Sequence, residues 1–246
     1  AKNDHLVLTD ADCYPVSDQW LKKMASHFSR KRKIVLGYGG YEPGKGLLNL
    51  LIRYETVFTA IQYFSFAIIG KPYMGVGRNL AYRKSLFFEN RGFASHYHLA
   101  SGDDDLFVNE TATGKNTAVE LSKESHTVSV PETSFGEWVK QKQRHLSAGN
   151  HYRTASRIRL AGELFSRFLL YATLVAACIL SPWKWHLLMA FGVLTAVKLL
   201  VFKLGMKRLD ERDLLLPSLL FDPLLPVLLG VIWFSNIFIT RYQSWK

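Results

Sequence analysis

The spacing of apolar positions divides this chain into two halves of different character. In the first, short apolar runs alternate with polar segments. "HLVLT" (5–9) predicts a strand that stops at an acidic loop. "VSDQWLKKMASHF" then sets Trp20, Leu21, Met24 and Phe28 at helical spacing behind a Ser/Asp start. "KRKIVLGYGGY" predicts a second short strand ending in glycines. Strand alternating with helix argues for an α/β layer with a mainly parallel sheet, in which ligands bind beyond the carboxyl ends of strands. Residues 47–69 are rich in Leu, Ile and aromatics but include Arg53 and Glu55. They predict an amphipathic helix or helix pair on the domain or at a membrane surface, with a membrane span as the alternative. "TAVELSKESHTVSVPE" predicts two strands. "SFGEWVKQKQRHLSAGN" predicts a helix with a capping box, Ser134 with Glu137, and a stop at Gly149.

Beyond about residue 160 the pattern changes to three long apolar stretches, 168–180, 185–202 and 223–240. A spanning helix needs roughly 17–25 mostly apolar residues. The third stretch meets this, the second does apart from Lys198, and the first does if Ser181, Pro182 and Trp183 extend it. Trp183, Trp185, Trp233 and Trp245 sit at their edges, as at a membrane interface. The expected division is a domain over 1–160 and a membrane part over 161–246 with about three transmembrane helices. Lys198 is expected to snorkel toward an interface, and Asp222 to mark the edge of the third span.

Charge refines this picture. The formal net charge is +11, with a hydrophobic fraction of 48%. Arg153, Arg157, Arg159 and Arg167 precede the first stretch, and Lys203, Lys207, Arg208 and Arg212 fall between the second and third. A helical hairpin brings both clusters to one side, which the positive-inside bias makes cytoplasmic together with the N-terminal domain. A third span would then leave Arg241 and Lys246 outside, a mild conflict. These basic residues flank apolar spans rather than interleaving with stacking aromatics, so membrane lipids are the expected partner, not nucleic acid. Cys13 and Cys178 form no disulfide framework and no zinc pattern. The chain opens at Ala1 almost directly in a strand, and is read as a fragment lacking its N-terminal part.

Three sets of residues are candidates for chemistry. Asp10 and Asp12 follow the first strand one residue apart; on an extended chain they face one side and repel unless a cation joins them. Asp103, Asp104 and Asp105 open a helix, where dipole and free N–H groups favour acids. Gln141, Arg144 and His145 share a helix face suited to an anionic or hydroxyl-rich ligand. Each set alone also fits a solvated surface. His96 and His98 read as loop residues, and Arg78 and Asn79 are further candidates for substrate contact.

The order of these sets resembles the family 2 glycosyltransferases over roughly residues 1–150, closest in pattern to the membrane-anchored inverting branch with cellulose, chitin and hyaluronan synthases. The resemblance implies a GT-A-like (Rossmann-like) α/β domain, incomplete at its N-terminus, followed by C-terminal transmembrane helices. It implies that Asp10 and Asp12 hold Mg²⁺ or Mn²⁺ on the diphosphate of a nucleotide sugar, a UDP-sugar foremost, with Asp12 the direct ligand. Gly102-Asp103-Asp104 matches the acidic triplet that ends in the catalytic base, so Asp104 is the expected base and Asp103 the alternative one residue away. Gln141 and Arg144 match the motif that closes over diphosphate and acceptor. His145 replaces the usual Trp, which puts processive polymerisation in doubt. The expected activity is inverting transfer to a lipid-linked or glycan hydroxyl at the cytoplasmic face of a bacterial cytoplasmic membrane. The family's nucleoside-binding strand lies upstream, so this fragment alone is expected to be inactive. An inactive transferase-like membrane scaffold is the other reading.

Overall fold

A computed structural model describes residues 2–95, 99, 101–180 and 182–239. His96, His98, Ser181, Arg241 and Lys246 lie outside the described residues. The first half holds seven short strands, β1 (His5–Leu8), β2 (Cys13–Pro15), β3 (Ile34–Leu36), β4 (Gly39–Tyr41), β5 (Leu80–Arg83), β6 (Thr117–Val119) and β7 (Thr127–Ser129). They form two sheets, ordered β1-β5-β3-β6 and β2-β7-β4. The sheets are mixed, not mainly parallel. β5 runs antiparallel to both β1 and β3, with Leu80 opposite Leu8 and Leu36, while β6 runs parallel to β3. In the second sheet β2 is antiparallel and β4 parallel to β7. The alternation of strand and helix near the N-terminus gives the layers correctly but says nothing of β5, which enters from 40 residues downstream and reverses the central ladder.

Ile34, Val35 and Leu36 are fully buried, as expected of a strand covered on both faces. α1 (Trp20–Ser26) buries Met24 against Val35 and Ala81, whereas Leu21 is exposed. The two sheets are joined at Asn79. Its Nδ2 donates to the carbonyls of Tyr38 (2.8 Å) and Ser125 (2.7 Å), and its Oδ1 accepts from Trp20 Nε1 (3.0 Å). Asn79 is fully buried, so this side chain holds structure and is not available to a substrate.

Residues 47–69 resolve into one helix, α2 (Leu47–Ile68), which is interior rather than superficial. Tyr54, Val57, Ala60, Tyr63 and Phe64 are buried at helical spacing. Each large side chain sealed this way contributes about 1.5–3 kcal/mol. α3 (Lys84–Glu89) and α4 (Asp105–Thr111) cap the first sheet's flank, and α5 (Phe135–Ala148) begins at the expected capping box, with Ser134 Oγ accepting from the Glu137 N–H at 3.2 Å.

Three long helices follow: α6 (Thr154–Leu180), α7 (Lys184–Arg208) and α8 (Leu215–Ile239). All three are long and apolar enough to cross a membrane. α6 runs through residue 160 without a break. α6 and α7 form the expected hairpin and carry mostly exposed apolar side chains. α7 returns to the domain, where Phe202 packs edge-on to Tyr54 and Phe58 at 6.3 and 6.2 Å between ring centroids. Both basic clusters therefore lie at the hairpin's domain end.

α8 behaves differently, because both of its ends bond to the domain. Just before it, Arg53 of α2 binds Glu211 through Nε (3.1 Å) and Nη2, and binds Asp213 through Nη1 (2.7 Å) and Nη2 (2.8 Å). Near its far end, Asn236 Nδ2 donates to the Gln143 carbonyl (2.8 Å) and Ser235 Oγ accepts from Gln143 Nε2 (2.9 Å). Pro223 and Pro226 lie inside this helix, each removing a backbone donor and favouring a bend.

Lys198 does not snorkel, nor does Asp222 mark a span edge. Asp222 is buried and accepts from Tyr54 (3.3 Å), Tyr171 and Lys198, with Arg167 Nη1 at 3.5 Å. Four helices thus converge on one carboxylate, since an apolar surrounding leaves a charge no better option than an opposite one.

Removing Arg53 leaves Glu211 buried without its counter-charge. Arg53→Ala is expected to cost about 3–5 kcal/mol, read as a lower midpoint of thermal unfolding in detergent. Asp213→Asn, at a side chain that is 55% exposed, is expected to cost less than about 1 kcal/mol.

Candidate active site

The acidic loop after β1 is a tight turn, the Cys13 N–H donating to the Asp10 carbonyl at 3.0 Å. Asp10 and Asp12 therefore meet through chain reversal, not through strand alternation. Donor atoms of Asp10, Asp12 and Cys13 lie within 4.8 Å of one another. Asp12 Oδ2 accepts from Ser129 Oγ (2.7 Å), which holds the carboxylate against the second sheet. Partial burial pushes the Asp10 carboxyl above its usual value; Arg78 opposes this, and Asp12 and Asp103 add to it. Two clustered carboxylates suit a hard divalent ion such as Mg²⁺ or Mn²⁺, which takes oxygen ligands and has little use for the thiol.

The second acidic set is built by a glycine. Gly102 has φ +110°, and a Cβ there would meet Leu106 Cδ1 at 2.6 Å. The turn delivers Asp104 to the N-cap of α4, where Oδ1 accepts from the Asp105 N–H (2.7 Å) and Oδ2 from the Gly77 N–H. Asp105 faces inward and accepts from Tyr152 Oη at 2.5 Å. Burial first, then the charges of Asp105 and Asp103, push Asp104 up to about 7. Burial likewise raises Asp105, with the Tyr152 hydrogen bond opposing it. Asp104 and Asp105 titrate as one unit, reluctant to carry two charges at neutral pH.

These two sets meet at Gly77. A Cβ on that residue would stand 3.1 Å from Asp10 Oδ1 and 3.2 Å from Asp104 Oδ2. Both carboxylates line a cavity of about 340 Å³, together with Arg78, Asp105, Lys142 and His145. The Arg78 guanidinium lies 4.2 Å from the Tyr41 ring centroid and donates to the Gly40 carbonyl at 3.2 Å.

Of the residues singled out from sequence, Asp10, Arg78, Asp104, Asp105 and His145 share this wall. Asp12 stands beside Asp10 outside it. Asp103 is exposed and off the wall, although its charge is felt by Asp10 and Asp104. Gln141 and Arg144 are also off the wall; Arg144 is exposed, and Gln141 Nε2 approaches Glu132 Oε1 at 3.5 Å. The cause is the roll of α5. Trp138 is fully buried, and Lys142, one turn later, pairs with Glu55 of α2 at 2.5 Å. That pins the face Trp138–Lys142–Leu146 inward, leaves the exposed His145 at the cavity's edge, and turns Gln141 and Arg144 one step aside. Lys142, Glu55 and Tyr152 escape a motif-based reading. The usable signals were Glu55 within an apolar run and Lys142 four residues after Trp138.

The family model described as glycosyl transferase family group 2 matches residues 5–234. The chain belongs to this glycosyltransferase family. No curated protein matches it. The match embraces both the acidic sites of this transferase and most of α8, so the helices after the domain are part of the family's pattern and not an unrelated tail.

Gly77→Ala tests the convergence. Asp10 and Asp104 must each give by a few tenths of an ångström, so turnover of a nucleotide sugar is expected to fall by about tenfold or more. The thermal midpoint in detergent should stay near that of the parent protein, since the atoms that must give are side-chain carboxylates and not backbone.

Proposed function

We propose that this transferase moves a single sugar from a nucleotide sugar, with a UDP-sugar the first candidate, to a hydroxyl acceptor at the cytoplasmic face of the membrane, inverting the anomeric carbon. The observation that carries this reading is the approach of Asp10 and Asp104 to the same glycine inside one cavity. Asp104 is the proposed base. It lies on the wall with a proton affinity matched to neutral pH, whereas Asp103, the alternative, is exposed. Chemistry is assigned to residues 1–160 and anchorage to 161–246.

In the proposed step Asp104 takes the acceptor's hydroxyl proton. The freed oxygen attacks the anomeric carbon as the bond to the diphosphate breaks on the opposite face. Asp10 and Asp12 would hold Mg²⁺ or Mn²⁺, which when bound supplies Lewis-acid stabilisation of the leaving diphosphate. Arg78, whose charge acts directly on Asp10, adds a fixed cation at that end of the cavity. The part proposed for Gln141 and Arg144, which lie on α5 next to His145, is to contact the diphosphate from outside the wall. The basic clusters at the domain end of the α6–α7 hairpin support a cytoplasmic domain.

Asp104→Asn is expected to lower kcat by about 10²–10⁴-fold while leaving donor affinity within about twofold. Lost donor binding with normal turnover would refute the base assignment. A second check is pH. The base works deprotonated, so kcat/KM should rise with pH through about 7. Asp105→Asn removes a neighbouring charge while keeping an acceptor for Tyr152, and should move that midpoint to lower pH.

A further inference from the structure

The catalytic cavity extends beyond its polar wall. Leu160, Leu164 and Arg167 of α6 and Leu229 of α8 line it on the membrane side. Farther along the same face of α6, Phe168, Tyr171, Val175 and Ile179 line a separate apolar groove of about 610 Å³, whose other bank is Pro223 and Val227 of α8. Positions 160, 164, 167, 171 and 175 follow an unbroken i, i+3/i+4 stripe, so cavity and groove are successive stations between the same two helices. The prolines of α8 sit where the groove opens, and the bend they favour keeps the helices from closing on each other. Between the two spaces stands a polar collar made by Asp222, Arg167 and Tyr171. The groove's volume falls within the range of about 300–1,000 Å³ usual for small-molecule sites.

We propose that the acceptor is a neutral lipid alcohol whose hydrocarbon chain lies in the groove between α6 and α8 and whose hydroxyl reaches Asp104. This rests on the glycosyltransferase reading above and names its acceptor class. Charge decides for a neutral head. Arg167 is committed to Glu163 (3.0 Å) and Asp222 (3.5 Å), Lys198 also to Asp222, and Lys142 to Glu55 (2.5 Å). A lipid phosphate at this end would bring negative charge beside Glu55, Glu163 and Asp222, against cations already paired. A hydroxyl adds no charge. The O–H proton passes to the Asp104 carboxylate, the oxygen bonds to the anomeric carbon, and the bond from that carbon to the diphosphate breaks with its electron pair on the nucleoside diphosphate.

The test uses the full-length protein in lipid nanodiscs and two readouts. Binding is read with a diacylglycerol carrying a diazirine in its acyl chain. Adducts are expected on residues 168–179 of α6 and 223–229 of α8, reduced by about tenfold or more in Ala176→Trp, which fills the groove. Adducts spread over α7, or unchanged by Ala176→Trp, overturn the proposal whether or not the protein is active. Turnover is read with a panel of UDP-sugars offered diacylglycerol, a polyprenyl phosphate or a soluble oligosaccharide. Transfer to diacylglycerol that falls in Ala176→Trp, while the slow donor hydrolysis by water persists, supports it. Preferred transfer to the phosphate lipid or to the oligosaccharide overturns it and leaves the transferase reading standing. Groove adducts as expected, with no donor consumed by the parent protein, overturn the transferase reading instead.

Discussion

The buried guanidinium of Arg53 constrains everything around it. A cation in the interior needs its anions brought to it, and those anions, Glu211 and Asp213, sit on the connection between two membrane helices. α2 is thereby fixed as a shared wall. One side meets the sheet through Tyr63, whose Oη donates to the Gly37 carbonyl at 2.8 Å. The other meets α7 and α8 through Tyr54, Phe202 and Phe221. Tyr38 Oη donates to Glu211 Oε1 at 3.1 Å, which ties the second sheet to the same ion pair.

That wall explains why the cavity holds two kinds of surface. Its sheet end gathers carboxylates whose ionisation is resisted by burial first and then by one another's charge, with Arg78 opposing at Asp10. Its helix end gathers charges already paired, Lys142 with Glu55 and Arg167 with Glu163. The first is an environment waiting for a cationic partner; the second is electrically quiet and bordered by leucines. In the proposed reaction a water-borne, charged donor and a membrane-borne, uncharged acceptor would occupy opposite ends.

Much of this was legible in the chain. Periodicity located the long helices, the capping box of α5 and the strands β6 and β7, and the acidic sets drew attention to Asp10 and Asp104. What the sequence left obscure shares one physical cause: side-chain direction depends on partners far along the chain. The roll of α5 is set by Glu55, 87 residues away from Lys142, so a face drawn through Gln141, Arg144 and His145 meets the cavity only at His145. Asn79 looked available for a substrate because its three partners come from separate segments. Lys198 and Asp222 looked like boundary residues because each was judged without the other. The antiparallel ladders of β5 were hidden for the same reason.

The fastening of α8 at both ends carries a consequence for how this protein is handled. The customary cut that frees a soluble catalytic fragment from its anchor would here pass through a continuous interior. Tyr54 would lose Phe202 and Phe221, and Arg53 its anions. Catalytic half and helical half form one cooperative unit, so a detergent that loosens the helices also loosens the active site.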